Sequence, residues 1–293
     1  MSLFQQMDYL DEVNITVLAE DTAGYDTSLT ARFGLSMLLE ARVEKNRTQF
    51  LYDTNQAAAP ILENLKTLRL SIEELNSIFL SHCHFDHTGG LPGILDALHR
   101  PIPVLGHPSL FRPCFEMKPE GLWPIGLLGY SRDDLERKKA SFILTQEPVR
   151  LMSGMITTGE IPRINDFELA GEMFTVADGK IVKDDLKDDA AVVLLLRAGL
   201  VILVGCCHAG IVNTIARAKE ITGVAKVHAV VGGLHLLDAD DNRLERTMGA
   251  LDEVDLVFAG HCTGLKAAAM LLRRRGTGFS PIFTGRSIHF PLG

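Results

Sequence analysis

Three histidines and an aspartate fall within six residues, His82-Cys83-His84-Phe85-Asp86-His87, a density that chance rarely produces. In extended chain His82 and His84, two apart, point to one side. Asp86 and His87, adjacent on the turn that follows, face a second point a few Å away. Imidazole and carboxylate without a thiolate cage suit two divalent cations, Zn2+ first, with Mn2+ or Fe2+ as alternatives. More residues of ligand type stand at the ends of other apolar runs. They are His107 in Gly106-His107-Pro108, Cys206 and His208 in Gly205-Cys206-Cys207-His208-Ala209-Gly210, His235 in Gly233-Leu234-His235-Leu236, and His261 in Gly260-His261-Cys262-Thr263-Gly264.

These residues need strand-to-helix loops to hold them. The apolar run 77–81 reads as a buried strand, and Thr88-Gly89-Gly90-Leu91-Pro92 reads as a helix start, since proline is tolerated at the first helical position. Residues 13–19 alternate as a strand, 34–40 and 49–53 form a hairpin across a charged turn, and 58–68 has helical spacing. Ser71-Ile72-Glu73-Glu74 has the form of a capping box and predicts a short helix. Residues 101–105, 142–144, 149–152 and 173–177 read as strands, while 111–140 is irregular, and the segment around 108–140 reads as a lid, a substrate wall or a homodimer contact. The acidic run 183–189, with Asp188 and Asp189, reads as a solvated turn leading into the apolar pair 190–196 and 200–204. Strands at 200–204, 227–231 and 255–259 each precede a ligand-type residue and then a helix.

At 293 residues, with 46% hydrophobic and 23% charged residues, the chain is of ordinary globular composition, and no stretch reads as a linker. A net charge of −8 without a basic stripe argues against nucleic acid as the partner, yet leaves room for a small anionic substrate held by local groups. The longest apolar runs are broken by Arg197 and too short for a bilayer, so no membrane partner is expected. Five cysteines and a start without a basic, apolar leader predict a reducing, cytoplasmic location.

His-x-His-x-Asp-His between an apolar strand and a Gly-Gly helix start resembles the signature of the metallo-β-lactamase-fold superfamily. That resemblance implies an α+β fold, a four-layer αββα sandwich of two mixed sheets flanked by helices, here one domain over residues 1–293. It also implies a one- or two-metal site at the sheet edges. His261 matches the last ligand of the second metal, beside Asp86 and His87. The third imidazole of the first metal would come from His208 or from His107, with His208 favoured by its place between a strand and a helix. Where a bridging aspartate is usual the chain has Cys206, which either binds as a thiolate or leaves that position empty. Asp53-Thr54-Asn55 stands where Asp-Thr-Gly is common, and Asp53 is expected to orient a ligand histidine rather than bind metal itself. His235 is expected to face the substrate or move a proton, with Asp86 the catalytic carboxylate.

Gly34-Leu35-Ser36 and the motifs at 82–90, 205–213, 233–236 and 260–264 further resemble one branch, metal-dependent hydrolases that include archaeal dihydropterin-methyl-ribofuranosyl-aminobenzene-phosphate synthases. Ala31-Arg32-Phe33 departs from a histidine common there and points to an altered substrate pocket. The first functional expectation is a metal-dependent hydrolase acting on a small anionic, phosphorylated substrate through a metal-activated water. The second is a pterin-diphosphate-dependent transferase, and the third, prompted by Cys206, Cys207 and Cys262, is a non-hydrolytic iron or redox protein.

Overall fold

The computed structural model describes residues 8–127, 129–169 and 171–291. Two seven-stranded mixed sheets stack face to face. The first runs in the order Ser287–Phe290, Glu12–Ala19, Ser36–Val43, Asn46–Tyr52, Leu75–Phe79, Ile102–Gly106 and Ala140–Leu144. It is antiparallel up to Asn46–Tyr52 and parallel beyond it. The second runs Phe279–Pro281, Leu256–Gly260, Val227–Gly233, Gly199–Val204, Val192–Leu196, Met155–Thr157 and Arg150–Met152, with the parallel half at the other end.

The continuous apolar runs are explained by burial on both faces. Along Val192–Leu196, Val192, Leu194 and Leu196 enter the core between the sheets, while Val193 and Leu195 pack against the outer helices. Tyr52 crosses that core and donates its hydroxyl to the Leu203 carbonyl at 3.2 Å. Helices Ala58–Leu68 and Leu91–Leu98 cover the first sheet. Helices Ile211–Thr222, Asp241–Leu251 and Gly264–Arg275 cover the second. The layers are therefore helix, sheet, sheet, helix, the αββα sandwich expected from the resemblance.

Two expectations from local pattern are corrected. Residues 71–74 form no helix, because the Ser71 hydroxyl accepts the Glu73 N–H at 3.1 Å in a tight turn and strand Leu75–Phe79 starts at once. The segment read as irregular contains the hairpin Cys114–Lys118 and Gly121–Pro124, which joins Met173–Ala177 and Lys180–Lys183 in a separate four-stranded antiparallel sheet. Of these four, Met173–Ala177 is the strand read from sequence; the other three are short and largely exposed, so they lack the alternation that betrays a strand. Among the described residues no helix is long and apolar enough to cross a membrane.

Candidate metal centre

Parallel strands that end at one edge of each sheet deliver the ligand-type side chains to a common point. Strand Leu75–Phe79 leads into the loop 80–84 and the short helix Phe85–Thr88, so that His82, His84, Asp86 and His87 turn inward together. Gly199–Val204 leads to Cys206 and His208, Val227–Gly233 to His235, and Leu256–Gly260 to His261. The loop 80–88 is clamped by its neighbours: the Leu35 N–H donates to the Asp86 carbonyl at 3.2 Å and the Thr54 N–H to the His87 carbonyl at 2.7 Å. Gly34 permits this approach, since at φ +110° a Cβ there would come within 2.0 Å of the Asp86 carbonyl oxygen. Left-handed backbone at non-glycine positions gathers here, at Asp53 (+55°), Asn55 (+54°), Cys207 (+62°), His235 (+47°) and His261 (+50°). Such strain persists where the surrounding contacts hold it and is frequent at functional sites.

The donors form two adjoining groups. In the first, His84 Nδ1 lies 3.1 Å from His82 Nε2 and 3.2 Å from His208 Nε2. In the second, His87 Nε2 lies 3.1 Å from Cys206 Sγ and 3.3 Å from His261 Nε2. Cys206 Sγ is 3.2 Å from His261 Nε2, and Asp86 Oδ2 is 3.4 Å from His87 Nε2 and 3.3 Å from His261 Nε2. Ligands bound at about 2.0–2.1 Å to one tetrahedral cation stand roughly 3.3–3.4 Å apart. The spacing therefore fits a cation in each group. His82, His84, Asp86, His87, Cys206 and His208 are all buried, none of them more than 5% exposed, and the His261 side chain is 1% exposed.

Residues outside the two groups hold the rings. The Asp53 carboxylate accepts the Ser81 N–H and the Ser81 hydroxyl at 2.7 Å, and His87 Nδ1 at 2.7 Å, which leaves His87 Nε2 to face the second group. Asp21 Oδ1 pairs with His261 Nδ1 at 2.9 Å, and Glu20 Oε1 accepts the His261 N–H at 2.6 Å. Ser81 Oγ meets His82 Nδ1 at 2.8 Å. His208 Nδ1 is buried with no partner among the described residues, as is Asp189 Oδ1. Gly205 sits where a Cβ would come 2.2 Å from Ser81 Oγ and 3.0 Å from Asp53 Oδ2.

Electrostatics separate the groups. Burial, then the neighbouring imidazoles, push His82 and His208 well below the usual histidine range, so both are neutral and offer lone pairs. In the second group burial would lower the His87 pKa, but the charges of Asp86 and Asp53 overcome it and raise the value to about 9. Burial would likewise raise Asp86, yet His87 and His261 hold it well below the usual carboxylate range. Burial pushes the Cys206 thiol up, so a cation is what would deprotonate it.

His235 is half-buried beside the first group, its ring centroid 4.2 Å from that of His208, and it lines a cavity of about 310 Å3 with Glu116, Glu172, Asp238, Arg243 and Cys262. Phe33 lies across the second group, 5.6 Å from the His261 ring. His107 is not brought to either group; it is paired with Glu160 at 2.9 Å and accepts the Ser109 N–H.

The acidic run is not a solvated turn, because its last two carboxylates are buried supports of both ligand loops. Asp188 accepts the Cys83 N–H at 2.8 Å and Asp189 the Ala209 N–H at 2.7 Å. Asp21, Glu20 and Cys114, which touches His84, were not anticipated either. Only Ser81, adjacent to His82, carried a local signal.

Comparison with known proteins agrees with this geometry. The family model described as the metallo-beta-lactamase superfamily matches residues 29–261. A protein of Methanocaldococcus jannaschii named 7,8-dihydropterin-6-methyl-4-(beta-D-ribofuranosyl)-aminobenzene-5'-phosphate synthase is 36% identical over 288 residues, 96% of this chain and 98% of that protein. An uncharacterised protein of the same organism is 31% identical over 88% of this chain and 93% of its own length. Among solved structures, Tm1679, described as a metal-dependent hydrolase of the beta-lactamase superfamily, superposes with TM-score 0.79 at 22% identity over 94% of this chain and 98% of that one. Zn2+-bound PqqB from Methylobacterium extorquens gives TM-score 0.54 at 12% identity over 94% and 99%.

Proposed function

The chain belongs to the metallo-β-lactamase superfamily, and from that premise we propose that it is a two-metal enzyme acting on a small phosphorylated substrate, as a pterin-linked transferase. The single observation behind the two-metal reading is the pair of adjoining donor groups, each spaced for a cation. His82, His84 and His208 would hold one ion, and Asp86, His87, His261 and Cys206 the other. When bound, the cations supply the positive charge that eases departure of a diphosphate.

The transferase assignment is supported by the relative named as a synthase, whose 36% identity runs the length of both chains. The solved neighbours, at 22% identity or less, speak for the fold alone. His235 lines the cavity beside the first group, which supports a role in exchanging a proton with the reacting substrate. Asp86 keeps a negative charge between His87 and His261, and Phe33 narrows the approach over His261. A hydrolase taking water as the acceptor is the second reading, favoured by the same adjoining groups, since two cations also suit water activation.

One assay separates the readings. The metal-loaded protein is given a dihydropterin diphosphate with and without an aminobenzene ribose phosphate, and pyrophosphate and joined product are followed. Release only in the presence of both, with the joined product, is the expected result. Release without the acceptor would make the protein a hydrolase, and no release in either case would overturn the substrate class.

A further inference from the structure

Each histidine of the two groups turns one ring nitrogen toward its fellow donors, and the opposite nitrogen decides which tautomer the ring adopts. Neutral imidazole has one N–H and one lone pair, so a hydrogen-bond acceptor on the far side leaves the lone pair facing the cation. Asp53 does this for His87 and Asp21 for His261. His84 presents Nδ1 to its group and Nε2 to a sulfur, Cys114 Sγ, at 3.5 Å. The Cys83 thiol lies within 4.8 Å of that sulfur and of a ring nitrogen of His84.

Cys114 starts the strand Cys114–Lys118 of the small sheet and is 2% exposed. Its place is set from both sides of His84. Arg112 donates to Asp184 and to Asp188 at 2.7 Å each, and Asp188 accepts the Cys83 N–H. The Ile125 N–H donates to the Cys114 carbonyl at 2.9 Å, while the Ile125 carbonyl accepts the Phe85 N–H at 2.9 Å. The residues before and after His84 are thus tied to the segment that carries the sulfur.

We propose that Cys114 is a positioning residue for the first metal point, its sulfur accepting a hydrogen bond from His84 Nε2–H so that the Nδ1 lone pair faces His82 and His208. The small sheet is then a working part of the metal centre as well as its cover. This rests on reading His82, His84 and His208 as a cation group, but it does not depend on the substrate.

Metal-free wild type, Cys114→Ala and Cys114→Ser are titrated with Co2+ and with Zn2+ against a competing chelator, and bound metal is counted per chain. Alanine is expected to weaken one of two sites about 10- to 100-fold, the usual cost of losing such an outer partner, and serine, which keeps an acceptor, to recover most of it. Cys114→Val replaces alanine if that variant does not fold. Equal affinities in all variants would overturn the proposal. So would serine binding no better than alanine, which would mean that packing alone matters, or loss of a metal equivalent beyond two, which would make the sulfur itself a ligand. Wild-type protein that binds no cation would instead overturn the donor-group reading beneath it.

Discussion

Asp53→Asn tests the link between an outer carboxylate and the second metal point with almost no change of shape. Asparagine tolerates left-handed backbone as aspartate does, so the φ of +55° is kept without added strain. The amide oxygen can still accept the Ser81 N–H. The amide nitrogen, however, now faces His87 Nδ1, where a carboxylate oxygen accepted at 2.7 Å. Two donors cannot share that contact, so the His87 proton moves to Nε2 and occupies the lone pair that faces Asp86, Cys206 and His261. The expected loss is about 10- to 100-fold in affinity at one site. That corresponds to roughly 1.4–2.7 kcal/mol. Titration with Co2+ or Zn2+ against a chelator should show one site weakened and the His82, His84 and His208 site unchanged. Equal affinity at both sites in wild type and variant would refute the argument.

Other expectations follow from the same contacts. His84→Ala removes the nitrogen between His82 and His208, so it should lose one metal equivalent and essentially all turnover, read by metal analysis and the pyrophosphate assay. In metal-free protein His87 titrates at about 9, above its ordinary value. It therefore adds stability in full below the unfolded pKa of about 6.5 and loses it as pH rises through the folded value. A cation must displace that proton, so binding at pH 7 to 8 should release protons and tighten with rising pH; calorimetry in buffers of different ionisation enthalpy should give different heats, and equal heats would refute it. Arg112→Met strands the buried carboxylates of Asp184 and Asp188, at an expected cost of about 3–5 kcal/mol in denaturant unfolding. Cys206→Ala should weaken the second site and abolish any sulfur-to-Co2+ charge-transfer absorption, whereas a spectrum unchanged by the substitution would remove Cys206 from the donor group.

The residues that the fold gathers into the two donor groups were legible because ligand-type side chains cluster at strand ends in this sequence. His82 to His87 share one turn, and His208 and His261 each follow an apolar strand, so a local pattern was enough. The carboxylates that hold those loops were not legible in the same way. Asp188 and Asp189 sit in a run of charge that reads as solvated, and only the fold shows them beneath Cys83 and Ala209. Asp21 lies 240 residues from the His261 ring it orients, a distance across which sequence spacing carries no signal. The sandwich was readable for the converse reason. Strands buried on both faces leave continuous apolar runs, as in Val192–Leu196, whereas the small sheet's exposed strand Lys180–Lys183 leaves none and only its neighbour Met173–Ala177 was legible.

The central claim is that two cation sites lie side by side at the sheet edges, and metal content tests it most directly. Protein purified without chelator and measured by plasma mass spectrometry should carry close to two equivalents of zinc, manganese or iron per chain. His84→Ala and Asp53→Asn should each bring the count toward one. A wild-type chain that holds no more than one equivalent, even after incubation with excess metal, would contradict the account.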